Sequence, residues 1–223
     1  VKINVYSCGC TAIDVSIISE CDVHGGHVLS AYDRVKRSDQ KAFQTDDGSA
    51  ILFYTNLSEG MRKLSDKSVG LVLTYPDHYH FNVRALLHPK AWAFYVDPFF
   101  TFCSRVLKDD GKIFILIEPN VLHCVLFSAF QSGFDLSFLK LLPVSDGFKF
   151  ALVFSNGPAL STNIVDVKSF EKAALDAFSS GLILDTSCLH SKFIQHSRTK
   201  AKTVGIVTKE CKYSKLKKIL KQN

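Results

Sequence analysis

Five residues near the start have the types that bind metal. Cys8 and Cys10, then ten residues, then Cys21, His24 and His27 give C-x-C followed by C-x-x-H-x-x-H, enough thiolate and imidazole for a tetrahedral zinc ion. The spacing matches no standard finger, so buried thiols and two histidines in a Gly25-Gly26 loop are the preferred reading, and no metal is expected. Asp77, His78, Tyr79 and His80, with Phe81 beyond them, could bind a metal or present rings to a base. Cys188 and His190 invite a nucleophile-and-base reading, but near neighbours in a loop rarely reach the geometry that chemistry needs. Gly9 could open a phosphate-binding turn; without a nearby lysine a plain β-turn explains it better. Lys209, Lys212, Lys215 and Lys218, with Lys217 and Lys221, recur through a segment whose apolar members are Leu216, Ile219 and Leu220. This is a helix with a wet basic side suited to phosphate contact, not base readout.

The chain that must position these groups has 223 residues, 47% of them hydrophobic and 22% charged, which excludes a disordered chain and predicts a folded α/β domain. Seven cysteines, Cys8, Cys10, Cys21, Cys103, Cys124, Cys188 and Cys211, cannot all pair within one chain. They read as free, mostly buried thiols in a reducing, cytoplasmic or otherwise intracellular setting. The apolar runs Ile113 to Ile117 and Val121 to Phe130 are interrupted by Glu118, Pro119 and His123, well short of the roughly 20 residues of a membrane span. The first residues lack the layout of a secretion signal, so no membrane partner is expected. The net charge of +6 is uneven: residues 190–223 carry +9 and residues 1–189 carry −3. A basic end of this kind is the electrostatic footprint of a polyanion partner, nucleic acid first.

The polar stretch Arg34 to Ser49 reads as a loop or weak helix dividing residues 1–50, an added or remodelled N-terminal element, from a domain over 51–223. Strands are expected at Ile3–Tyr6, Ile51–Tyr54, Val69–Leu73, Lys112–Ile117, Phe134–Leu142, Phe148–Ser155, Leu182–Leu184 and Thr203–Val207. Helices are expected at Ser58–Leu64, Pro89–Leu107 with a break near Pro98, Val121–Gln131, Ser169–Phe178, Ser191–Ser197 and Tyr213–Lys221. Turns fall at Asp109-Asp110-Gly111 and Ser145-Asp146-Gly147. The alternation predicts a mainly parallel sheet with helices on both faces and an antiparallel edge hairpin.

Four stretches carry a resemblance. The segment from Leu64 through Val69-Gly70-Leu71-Val72-Leu73-Thr74 to Tyr75-Pro76 is similar to the catalytic stretch of the exocyclic-amino (adenine-N6 and cytosine-N4) DNA methyltransferases. Arg105 to Ile113 resembles that family's helix-to-strand turn, and Gly133-Phe134-Asp135-Leu136 with Leu152 to Ser155 resembles its late hairpin. Gly181 to Ser191 and Thr203-Val204-Gly205-Ile206 fall where its S-adenosylmethionine site lies, after the catalytic stretch, as in the beta-type members. The resemblance spans about residues 51–221 and implies a doubly wound, Rossmann-like methyltransferase sheet.

It also implies a site. The family's catalytic motif is an acidic or small polar residue, two prolines and an aromatic; the polar group and a proline carbonyl accept hydrogen bonds from the target amino group, and the aromatic stacks on the flipped-out base. The corresponding residues are Tyr75, Pro76, Asp77 and His78, in which Pro76 is kept and a bulkier, neutral phenol replaces the acceptor. A shifted register would use Asp77. In the cofactor segment Asp185, Cys188 and Gly205 are kept, whereas Leu189 and Ser191 stand where two glycines would let the backbone approach the cofactor. Val207 stands where an acid would hold the ribose hydroxyls, with Glu210 three residues further on.

These departures point to a catalytically inactive methyltransferase-like protein, a pseudoenzyme, with no cofactor expected and S-adenosylmethionine only if it is active. Its expected partners are nucleic acid, DNA before RNA, and an active methyltransferase subunit or a second copy. The alternatives are an active S-adenosylmethionine-dependent methyltransferase with an atypical site, and an interaction scaffold that uses the vacated cleft or the aromatics between Trp92 and Phe102.

Overall fold

In the computed structural model of the chain, residues 3–7, 41–45, 50–54, 57–74, 97–145, 147–155, 163–186 and 200–207 are described. Their strands are β1 (Ile3–Ser7), β2 (Lys41–Thr45), β3 (Ala50–Tyr54), β4 (Val69–Thr74), β5 (Leu107–Ile117), β6 (Leu136–Val144), β7 (Gly147–Ser155), β8 (Leu182–Asp185) and β9 (Thr203–Val207). All nine join one sheet in the order β1, β2, β3, β9, β8, β4, β5, β7, β6. The five central strands run parallel. The β6–β7 hairpin closes one side antiparallel, as the sequence predicts, and β1 and β2 add an antiparallel pair on the other.

The period-two alternation of the central strands sends side chains to two cores. Ile113, Ile115 and Ile117 of β5, with Leu182 and Leu184 of β8, face α1 (Leu57–Arg62), α2 (Asp97–Val106) and α3 (Leu122–Gln131), which supply Met61, Phe100, Cys103, Val125 and Ala129. Phe114 and Leu116 of β5, with Ile183 of β8, face α4 (Val167–Asp176) through Phe170, Ala173 and Ala174. Helices on both faces of a sheet with a parallel centre make the doubly wound, Rossmann-like arrangement expected from the alternation of elements. Among the described residues no helix is long and apolar enough to cross a membrane.

Local chemistry sets the element ends. Asp166 caps α4 by accepting from Ser169 N–H at 2.7 Å, and the Ser169 hydroxyl accepts from Asp166 N–H at 2.9 Å, a reciprocal capping box. At the far end of α3, Gly133 adopts φ +81°, Phe134 N–H donates to Ala129 O at 3.0 Å and Gly133 N–H to Phe130 O at 3.1 Å. That is a Schellman stop, which favours glycine at the left-handed position. Where β4 and β8 begin, the chains approach so closely that a Cβ on Gly70 would collide with Ser180 O.

Three expectations change, and a fourth is seen only in part. Arg34 to Ser49, read as loop or weak helix, contains strand β2, because pairing with β1 and β3 on either side supplies ladder bonds that its polar composition does not announce. The turn expected at Asp109-Asp110-Gly111 is a bulge inside β5: Leu107 pairs with Val69, and the next register partner, Lys112, pairs with Leu71. Of the helix expected over Pro89–Leu107, Asp97–Val106 is helical, with Pro98 in the first turn of that range where a missing N–H costs nothing, and residues 89–96 lie outside the described residues. Finally, Phe99 and Phe100 are core residues, 2% and 0% exposed, and Phe102 packs against the same core, so this end of the Trp92 to Phe102 aromatic run is interior and cannot form a scaffold interface. The expected helices at 191–197 and 213–221 lie outside the described residues.

Candidate functional site

In an open parallel sheet, ligands bind beyond the carboxyl ends of the strands where successive connections diverge. Here that point lies between β8 and β4. The chain leaves β4 for β5 on one side and leaves β8 for β9 on the other, while β4 and β8 are direct neighbours.

The residues at those ends interlock. Asp185, the last residue of β8, is fully buried, with Leu73 of β4 as its register partner on one side and Gly205 of β9 on the other. Thr186 N–H donates to Leu73 O at 3.0 Å, which holds the two strand ends together. The Thr186 hydroxyl is buried and finds no hydrogen-bond partner among the described residues, although an interior hydroxyl nearly always has one. Thr74 ends β4 and is 2% exposed. The buried apolar strands thus terminate in a cluster of small polar side chains.

Of the sequence-predicted site residues, Asp185 and Gly205 are brought side by side. Tyr75, Pro76, Asp77 and His78 follow directly on Thr74, and Cys188 follows Thr186 by two residues; all five lie outside the described residues. So do Lys209, Lys212, Lys215 and Lys218, and the Cys8, Cys10, Cys21, His24 and His27 cluster. The parallel register nevertheless ends β4 and β8 side by side at the same end of the sheet.

Sequence reasoning passed over Thr186 as a candidate. Its only signal was its place after an aspartate ending an apolar strand. It also passed over an ion pair at the neighbouring strand end, where Glu118, directly after β5, meets Lys149 of β7 at 3.1 Å. The two described cysteines fit the free-thiol reading: Cys103 and Cys124 are buried and unbridged. Burial pushes the Cys103 thiol well up and the Cys124 thiol to about 11, which makes both inert.

No protein-family model matches the chain. No curated protein matches it. Solved structures do. A Thermus thermophilus protein assigned as a DNA modification methylase superposes with a TM-score of 0.56 at 14% identity, over 72% of this chain and 90% of that one; it has also been solved with S-adenosyl-L-methionine. The M1.HpyAVI–SAM complex gives 0.54 at 11% identity, over 78% of this chain and 100% of that one. The cytosine-N4-specific PvuII DNA methyltransferase gives 0.51 at 11% identity, over 78% and 87%. The described strands and helices therefore have the fold that these DNA methyltransferases share, as the motif order in the sequence implies.

Proposed function

We propose that the chain is a catalytically inactive, DNA-methyltransferase-like protein whose surviving function is binding, either to nucleic acid or to an active methyltransferase subunit. One juxtaposition carries this reading. At the divergence point β4 runs into Tyr75, where methyl transfer calls for a small amino-group acceptor, and β9 ends on Val207, where the cofactor's ribose calls for an acid. Asp185 and the buried Thr186 hydroxyl keep polar groups at the strand ends, but Leu189 and Ser191 occupy the positions where glycines would admit the cofactor. The residues present do not fit S-adenosylmethionine. Residues 1–50 act in this reading as an added element beside the methyltransferase-like domain, and the basic tail supplies Lys209, Lys212, Lys215 and Lys218 for phosphate contact.

The polar strand ends favour one second reading, an active enzyme built on Tyr75, Pro76, Asp77 and His78. Calorimetric titration with S-adenosylmethionine and its demethylated product separates the two. A ligand at 100 times its Kd adds about 2.7 kcal/mol of stability, which a thermal scan resolves. We expect no binding at millimolar ligand. Micromolar binding followed by methyl transfer to DNA or RNA would overturn the pseudoenzyme reading.

A further inference from the structure

We draw no further inference here: the strongest candidate, the apolar face of the β6–β7 hairpin where Leu139, Leu141 and Phe148 stand exposed, carries nothing because nothing in the structure shows what covers it.

Discussion

At the scale of single residues, hydrogen bonds tune two exposed carboxylates. Asp166 lies below the ordinary carboxylate range because it accepts from Ser169 backbone and side chain, with Lys168 nearby. Asp110 is lowered first by the Ser179 hydroxyl, which donates at 2.6 Å, and then by its own backbone N–H and by Lys108 and Lys112. A carboxylate with a depressed folded-state value stabilises the fold above its unfolded value, and that contribution fades as pH falls through the folded value, here below about pH 4. Ser169→Ala should therefore raise the Asp166 midpoint in a carboxyl NMR titration and shift acid unfolding toward higher pH, while Asp110 stays put. The expected helix start at Ser169 misses Asp166, which caps the helix directly ahead of Val167. Ser179 was not visible as the partner of Asp110, because 69 residues separate them and only the sheet brings the β5 bulge beside the segment leading into β8.

At the scale of elements, one arginine ties α1 to α2. Arg105, in the last turn of α2, donates to Met61 O and Leu64 O, both at 2.9 Å, and to the Asp66 carboxylate. It thereby satisfies carbonyls left open where α1 ends. Arg105→Ala should cost about 2 kcal/mol, a Tm decrease of roughly 4–8 °C in a domain of this size, read by thermal unfolding. Arg105→Lys should recover only part, since a single ammonium cannot span three acceptors. The regular elements were legible because their apolar residues repeat at the right period: β4, β7 and α3 lie within one residue of expectation, as does the end of β5. What escaped depends on long-range partners. β2 is a strand through its neighbours, and Phe99 and Phe100 resemble a surface aromatic cluster until Phe134 and Phe154 close over Phe100, with ring centroids 5.9 and 5.5 Å away.

At the scale of the whole molecule, charge and topology separate. The +9 of residues 190–223 predicts steep salt dependence: if Lys209, Lys212, Lys215 and Lys218 neutralise four phosphates, affinity for duplex DNA should fall about 100-fold between 50 and 200 mM salt. Fluorescence anisotropy across that range checks it, and replacing the four lysines with glutamine should flatten the slope. The candidate site was legible at this scale as an order of motifs. Its meeting point was not, because adjacency of β4 and β8 arises from strand order and leaves no mark in either segment. That order also bears on how the chain is made. β4, β5, β7 and β6 lie within residues 69–155 and can pair as they are synthesised, but β3 at residues 50–54 finds its parallel neighbour only in β9 at 203–207. The β1–β2–β3 end must wait, its β3 edge unpaired, until β9 has left the ribosome about 150 residues later. A protein built this way is exposed to misassembly through that interval, and a chain stopped before residue 200 should keep half a sheet while leaving its first strands without a place.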